Sequence, residues 1–330
     1  MLTLFRTNQL LISVLLLAYL MAFHLASIIS PLNLHPAGDG VLSQLVLDGL
    51  SASHPALSKA LAIALVFFQS ILLILLSITH RLREDITLYA GVFYCIFAAA
   101  LPVFIPLNAA MMANLFLILA MGNMMNAYKK SDAIGELFNT GIYIGLASLF
   151  YFSTIAFVGW AIICLSILRS ANLRENLAIL IGAAVPYLLT VTAYFWFGQL
   201  DVFLRDQFEL PFGWLEIGRP DTKAWIKLGA YGLLVLIALL SSNQYMSKKN
   251  IEVQKKLRTV YWMMLFAGLS VLLQREVDLT HLLFLCPALG LFLALNFSTM
   301  QTRWAESIHF LLLLLILALH FSRWLVGVQW

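Results

Sequence analysis

The chain has 330 residues, of which 62% are hydrophobic and 11% charged, with a mean hydropathy of +0.91 and a formal net charge of +4 at pH 7. This composition excludes a soluble domain, and the repeated long apolar runs exclude a transmembrane barrel, whose strands need only about ten residues. The modest net charge argues against nucleic-acid binding. The predicted fold class is therefore all-α, a polytopic integral membrane protein.

Apolar runs of up to about 20 residues, the length of helix that crosses the hydrocarbon core, divide the chain into about 11 predicted transmembrane helices. The predicted spans cover residues 10–29, 58–78, 88–105, 108–126, 138–150, 153–168, 177–197, 224–243, 259–273, 280–297 and 306–323. They form a single transmembrane domain over 1–330. Its parts are 1–136 with spans one to four and the first outer loop, 137–197 with a broken helix pair and span seven, 198–223 as an outer loop, and 224–330 with spans eight to eleven.

The first outer loop, between spans one and two, carries Asp39 between two glycines. Glycine on both sides of an acid allows an open turn and a close approach of a substrate. The segment that follows, Val41–Leu50, is amphipathic and predicts a helix that lies in the plane of the membrane interface. Asp48 belongs to the polar face of that helix.

The run from Leu137 to Leu168 is 32 residues long, too long for one ordinary span and too short for two full ones. Its first half is rich in glycine and alanine, its second half is bulkier, and the change falls near Tyr151 and Ser153. This pattern predicts two short helices that meet in a turn at one membrane face. Because non-helical backbone at that depth is tolerated only where protein covers it or it lines a wet cavity, the turn at Tyr151 is a candidate site.

Two further outer segments carry arginines among acids. Gly198–Lys223 contains Arg205 and Arg219, and Gln274–His281 contains Arg275 and ends in a histidine. Arginine suits bidentate contact with a phosphate group, which makes these residues candidates for binding a lipid headgroup.

The basic residues predict the orientation of the chain in the membrane. With the N-terminus in the cytoplasm, 13 of the 20 lysines and arginines fall on the inner side, as the positive-inside rule requires. The densest basic run, Lys248–Arg258, is interpreted as an inner loop that determines topology. The spans themselves carry almost no charge, which argues against an ion-coupled transporter. Amides within the spans, such as Gln69 and Asn114, are predicted to form hydrogen bonds between helices.

Two short patterns resemble the GT-C superfamily of membrane glycosyltransferases, which use polyprenyl-phosphate sugars. The first is Gly141-Ile-Tyr-Ile-Gly145-Leu-Ala-Ser-Leu149, followed by a second short helix, a basic inner loop and a span that ends in aromatic residues. The second is Arg275 followed by Leu282-Leu-Phe-Leu-Cys-Pro-Ala-Leu289, which is similar to the superfamily's entry to a late span. Phe150-Tyr151 stands where the superfamily pattern has Thr-Lys. As a whole, the chain also resembles an uncharacterised family of bacterial polytopic membrane proteins.

The resemblance implies a GT-C-like arrangement and the transfer of a sugar from a lipid phosphate. That reaction needs a base to activate the acceptor hydroxyl and cations to stabilise the departing phosphate. Asp39 is the candidate catalytic base, and its alternative role is to cap the helix that follows. The candidate substrate-binding residues are Arg205, Arg219, Arg275, His281, Asp48 and Tyr151. Ion pairing is the alternative for each arginine, and packing is the alternative for the histidine. No metal site and no cofactor are predicted.

Three functions are compatible with these observations. The first is a GT-C-like membrane glycosyltransferase, or an inactive relative, acting on a lipid-linked sugar at the outer face of the bacterial inner membrane. The second is a non-enzymatic membrane subunit of an envelope-assembly or export complex, and the third is a lipid or solute carrier. The expected partners are membrane lipid, including a polyprenyl-phosphate-linked sugar, and other membrane proteins. The first function requires Asp39 and at least one outer arginine to converge on one outward cavity that opens to lipid.

Overall fold

The computed structural model describes residues 10–29, 40–51, 54–83, 86–170, 172–209, 249–275 and 278–326, with Phe5 and parts of 229–246, and within them it contains helices and no strand. The α-helices are α1 (Leu10–Ile29), α2 (Val41–Ser51), α3 (Pro55–Thr79), α4 (Tyr89–Ala98), α5 (Ala109–Asn126), α6 (Ile134–Phe150), α7 (Phe157–Leu168), α8 (Leu173–Trp196), α9 (Leu200–Leu204), α10 (Ile251–Leu269), α11 (Cys286–Thr299) and α12 (Thr302–Val326). Short 3-10 segments lie at Pro102–Phe104, Phe152–Ala156, Ser270–Leu273 and Leu279–Leu285, and a π-helical turn, Arg205–Glu209, follows α9.

The protein is a helical membrane protein. The described stretches that are long and apolar enough to cross a membrane are Pro55–Thr79, Ala109–Asn126, Leu173–Trp196, Ile251–Leu273 and Leu279–Thr299. The apolar helices α4, α6 and α7 are shorter. Since half of the predicted span 224–243 lies outside the described residues, the number of 11 spans stays a prediction. Helix α2 forms where the amphipathic helix is predicted, and its location in a membrane interface also stays a prediction.

Several predicted spans contain short segments that are not α-helical, and in two of them a proline lies where the α-helix ends or begins. The third predicted span ends as an α-helix at Ala98, and the backbone at Leu101 is extended because Pro102 follows it. The tenth begins as a 3-10 segment and becomes α-helical only at Cys286. Pro287 then occupies the first turn of α11, where a missing N–H group leaves no intrahelical hydrogen bond unmade.

The interpretation of Lys248–Arg258 as a loop is wrong for most of that run. Helix α10 begins at Ile251, so the basic residues from 255 onward lie on its first two turns. Asn250 has extended backbone at the N-cap position, and the Glu252 carboxylate pairs with the Lys256 ammonium one turn later at 2.6 Å. An acid in the first turn and a pair at this spacing both stabilise a helix start.

Glycines allow α6 and α8 to pack with their backbones in contact. A Cβ atom on Gly141 would lie 2.8 Å from the amide nitrogen of Ala183, and one on Gly145 would lie 3.1 Å from the carbonyl carbon of the same residue. Gly182 on α8 is equally crowded by the backbone of α6. Small residues spaced four apart permit this close approach in membrane helices. The glycines in the first half of the broken run therefore allow α6 to pack closely against α8.

Buried amides connect the helices of the core, which confirms the prediction made from their positions in the spans. The Gln69 amide donates to the carbonyl oxygen of Met111 at 2.7 Å, and the Tyr94 hydroxyl donates to the Gln69 carbonyl oxygen. The Asn114 amide donates to the carbonyl oxygen of Leu283 at 3.1 Å. These bonds link α3, α4 and α5 to the 3-10 segment before α11, without a charged group among them.

One end of the helix bundle collects basic side chains, and we call it the basic end; it contains Arg81, Lys130, Arg169 and Lys255. Arg169 donates to the carbonyl oxygen of Lys130 at 2.8 Å and pairs with Glu175 at 3.0 Å. Lys255 donates to the carbonyl oxygen of Leu168 at 3.4 Å. Four of the predicted inner segments therefore meet at this end. Which side of the membrane it faces stays a prediction.

Candidate functional site

The broken helix pair is present, as its length predicts. Helix α6 ends at Phe150, Tyr151 has extended backbone with φ −143° and ψ 102°, and the chain returns through the 3-10 segment into α7. With 17 residues, α6 carries this break about 25 Å away from the basic end. We call the surroundings of the break the helix-break junction; it contains Gly40–Val41, Ser148–Tyr151, Gln207, Gln274 and His281.

The first outer loop packs directly against the end of α6. A Cβ atom on Gly40 would lie 2.8 Å from the carbonyl oxygen of Phe150, and closer still to that of Leu149, so only glycine fits there. The N-terminus of α2 follows at once. The Gly40 N–H donates to the Ser43 hydroxyl oxygen at 3.1 Å, and the same hydroxyl donates to the Gly40 carbonyl oxygen at 2.8 Å. Ser43 thus caps the helix start in a way that resembles a capping box.

Gln207 connects the second outer loop to the first loop and to α6. Its side-chain carbonyl oxygen accepts from the Val41 N–H at 3.0 Å, and its amide donates to the carbonyl oxygen of Ser148 at 2.8 Å. The Tyr187 hydroxyl of α8 donates to the Ser148 hydroxyl at 2.8 Å. Three segments that are far apart in the chain are thereby joined by neutral hydrogen bonds, and Gln207 itself is fully buried.

A second buried group ties the break to the third outer segment. The Tyr151 hydroxyl lies 2.7 Å from the Gln274 side-chain oxygen and 3.1 Å from His281 Nδ1. His281 Nε2 lies 3.0 Å from the carbonyl oxygen of Ala267 and 3.0 Å from the Ser270 hydroxyl. Tyr151 is 1% exposed and His281 is 3% exposed.

The positions of the protons follow from what each atom can do. A carbonyl only accepts, so His281 Nε2 carries a hydrogen and donates to Ala267. The Tyr151 hydroxyl donates its one hydrogen to the Gln274 side-chain oxygen, the shorter of its two contacts, and its oxygen lies beside His281 Nδ1. The result is a relay of neutral hydrogen bonds from Gln274 through Tyr151 and His281 to the backbone of α10.

The predicted site residues are distributed around this junction in different ways. Tyr151 and His281 are brought together, and their contacts favour the packing role of the histidine. Arg275 is exposed and directly follows Gln274, while Asp48 lies on the exposed side of α2. Asp39 and Arg219 lie outside the described residues. Within the described part of the chain, no three histidine, cysteine or acidic side chains are grouped as metal ligands.

Arg205 is paired rather than buried. Its Nε atom donates to the Asp206 carboxylate at 2.8 Å, and this neighbour raises the pKa of the guanidinium. The side chain is 60% exposed, so the pair lies in water and contributes little stability. Arg205 precedes Gln207 by two residues and lies at the edge of the helix-break junction.

The residues missed by sequence reasoning are neutral. Gln207, Gln274 and Ser148 hold the junction together, yet none has a charge or a motif that marks it. The one available signal was a glutamine within or beside an apolar stretch, since a buried amide has to find hydrogen-bond partners.

No family model matches the chain and no curated protein matches it, so the resemblance to an uncharacterised bacterial family stays a prediction. One similar solved structure is the archaeal oligosaccharyltransferase AglB from Archaeoglobus fulgidus in complex with an inhibitory peptide and a dolichol-phosphate, with 12% identity and a TM-score of 0.49 over 92% of this chain. Another is the apo form of an Archaeoglobus fulgidus oligosaccharyltransferase, with 12% identity and a TM-score of 0.47 over 92% of this chain. The match covers 51% and 52% of those chains, so this chain spans about half their length.

Proposed function

We propose that the protein is a GT-C-like membrane glycosyltransferase that uses a lipid-linked sugar at the membrane face opposite the basic end. The observation that carries the proposal is the meeting of three outer segments at the helix break. Gly40, Gln207 and Gln274 all belong to the helix-break junction. Asp39 directly precedes the first of them, Arg205 lies two residues before the second, and Arg275 directly follows the third. Along the chain, an acid and two arginines are therefore within two residues of the groups that form this neutral, buried scaffold.

The chemistry assigns a role to each of these charged residues. Asp39 accepts the proton of the acceptor hydroxyl, whose oxygen forms a bond to the anomeric carbon of the sugar. The bond from that carbon to the phosphate oxygen breaks, and the polyprenyl phosphate leaves with the electron pair. Arg205 or Arg275 stabilises the negative charge that this phosphate gains. The exposed pair between Arg205 and Asp206 is weak enough to exchange its carboxylate for a phosphate.

The role of the buried groups is to position the charged ones. The Gln207 bonds to Val41 and Ser148 fix the chain two residues beyond Asp39, and the Tyr151 relay fixes the chain next to Arg275. Neutral amides suit this task because they bring no competing charge close to a phosphate. Tyr151 and His281 are accordingly positioning residues, and neither contacts the reacting atoms.

The test compares Asp39→Asn with Asp132→Asn, whose carboxylate accepts from the Ile134 N–H at the other end of α6. Each variant is purified, reconstituted in nanodiscs and supplied with a synthetic polyprenyl-phosphate hexose labelled in the sugar, with a membrane lipid extract as acceptor. Asparagine caps a helix about as well as aspartate, so folding is spared in both variants. We expect Asp39→Asn to lose a hundredfold or more of the transfer rate, the usual order of contribution of a general base, and Asp132→Asn to keep it. Equal transfer by wild type and Asp39→Asn would exclude Asp39 as the base.

A second candidate function is a non-enzymatic membrane subunit of an envelope-assembly or export complex. The observation in its favour is that Tyr151 and His281 are satisfied internally and that Arg205 already has a carboxylate partner. Mass spectrometry of lipid that co-purifies with the protein separates the two functions. Retained polyprenyl phosphate supports the transferase, and co-purified membrane protein without such lipid supports the subunit.

A further inference from the structure

A cavity of about 710 Å³ opens at the basic end, between the end of α3 and the start of α10. Its lining includes Arg81, Arg83 and Lys249 as cations and Glu252 as an anion, with the polar side chains of Thr87 and Asn250. It is separate from the helix-break junction, since the two regions lie at opposite ends of α6. Its volume falls within the range of sites that bind small molecules or headgroups.

Arg81 occupies a backbone position that normally belongs to glycine. Helix α3 ends in a Schellman motif, in which the Leu82 N–H donates to the Ser77 carbonyl oxygen and the Arg81 N–H to that of Ile78, both at 3.0 Å. The motif requires the left-handed conformation at Arg81, whose φ is +48°. Glycine adopts this conformation without strain and arginine does not. Arg81 thus places a cationic side chain on the wall of the cavity at some cost in backbone strain.

The other lining groups are those that bind oxyanions. Arg83 donates to the Thr87 hydroxyl and its guanidinium lies 5.1 Å from the centre of the Tyr89 ring, which orients it. Lys249 and Asn250 lead into the N-terminus of α10, where the first backbone N–H groups have no partner within the helix. Unpaired N–H groups and the helix dipole both favour an anion at this end.

The charge around the cavity stays positive when the acids are included. The Glu252 carboxylate is neutralised by Lys256. Residues 248–258 carry five basic side chains and one acid, and residues 81–87 carry two of each, among which Glu84 and Asp85 lie outside the described residues. The two segments together therefore have an excess of four positive charges.

We infer that this cavity binds a phosphate-bearing anion, through Arg81, Arg83, Lys249 and the N-terminus of α10. The cavity lies where α3 ends and α4 begins, which is the depth of lipid headgroups for helices that cross the membrane. The ligand is either the headgroup of an anionic phospholipid in that leaflet or a free phosphate compound. The site is independent of the proposed sugar transfer and adds a second phosphate site at the opposite end of the molecule.

The test uses Arg81→Gly with Lys129→Gly as a matched control. Lys129 also has a positive φ, of +55°, is exposed and does not line the cavity, so both variants relieve backbone strain and remove one positive charge. Native mass spectrometry of the purified full chain measures binding of phosphatidylglycerol against phosphatidylcholine. We expect the wild type to prefer phosphatidylglycerol, Arg81→Gly to weaken this binding by about tenfold or more, and Lys129→Gly to change it by less than about threefold.

A thermal unfolding series distinguishes the two sources of phosphate. Arg81→Gly is expected to keep or raise the thermal midpoint, so a loss of binding is not a loss of folding. If millimolar inorganic phosphate raises the midpoint of the wild type but not of Arg81→Gly, the ligand is a free phosphate compound. If only phosphatidylglycerol does so, the ligand is a headgroup. A wild-type midpoint that neither inorganic phosphate nor phosphatidylglycerol raises, or equal losses in the two variants, would overturn the inference.

Discussion

Replacing Gly141 by alanine tests whether backbone contact between α6 and α8 holds the helix-break junction in place. The new Cβ atom would lie 2.8 Å from the amide nitrogen of Ala183 and 3.0 Å from Gly182 Cα, and closer still to the carbonyl oxygen of Ile179. Favourable contacts between heavy atoms need about 3.5 Å. All three obstacles are backbone atoms, so the helices have to separate by up to about 1 Å. Overpacking of this kind destabilises a protein by about 1–3 kcal/mol.

The matched control is Gly122→Ala in α5. There the new Cβ atom would meet only Leu76 Cδ1, at the ordinary distance of 3.8 Å, and alanine would gain helix propensity of about 1 kcal/mol. The two variants should therefore change the free energy of unfolding in opposite directions and differ by about 2–4 kcal/mol. Equilibrium unfolding in mixed micelles, followed by tryptophan fluorescence, measures this difference. If Gly141→Ala were as stable as Gly122→Ala, the close packing of α6 on α8 would not be a source of stability.

Three further predictions concern the junction, the basic end and the topology. Tyr151→Phe should lower the free energy of unfolding by about 1–3 kcal/mol because Gln274 and His281 lose a buried partner. Tyr143→Phe is the control, because the Tyr143 hydroxyl has no hydrogen bond in the described part of the chain, and it should leave the free energy of unfolding unchanged. Thermal unfolding of both variants measures the difference. Burial, helped by the nearby Lys256 ammonium, lowers the pKa of His80 from 6.5 to about 4. As the pH falls, the imidazole therefore binds a proton in the unfolded chain before it does so in the folded chain. The free energy of unfolding should decrease by up to about 3 kcal/mol between pH 6.5 and pH 4. A flatter pH profile for His80→Gln would confirm the assignment, and an unchanged one would reject it. A reporter fused after Trp330 should be found outside the cytoplasm, given that most basic residues lie in the predicted inner segments.

The helix break could be predicted because length and composition are local properties. A run of 32 apolar residues has few ways to fit a membrane, and the change from small to bulky side chains near Tyr151 marks where the helix ends. The role of the amides was predictable for a similar reason, since Gln69 and Asn114 have to be satisfied wherever a span buries them. These inferences needed no knowledge of which helix lies next to which.

The contacts that build the junction were beyond reach because they depend on the tertiary arrangement. The bond between Val41 and Gln207 joins residues 166 positions apart, and the bond between Tyr151 and His281 joins residues 130 apart. No periodicity encodes such a pairing. The start of α10 was missed for the opposite reason: hydropathy treats a basic run as a loop, whereas Glu252 and Lys256 at helical spacing make it a helix.

The two ends of the bundle hold their polar side chains in place with different kinds of contact. At the basic end, cations are held by carboxylates and by backbone carbonyls, as in the contacts of Arg169 with Glu175 and Lys130. At the helix-break junction, the described buried groups are neutral, and the charged residues Arg205 and Arg275 lie exposed at its border. Burying an ion is costly unless it is paired, while a satisfied amide costs little. A scaffold of satisfied neutral groups therefore holds this junction together without the cost of burying a charge.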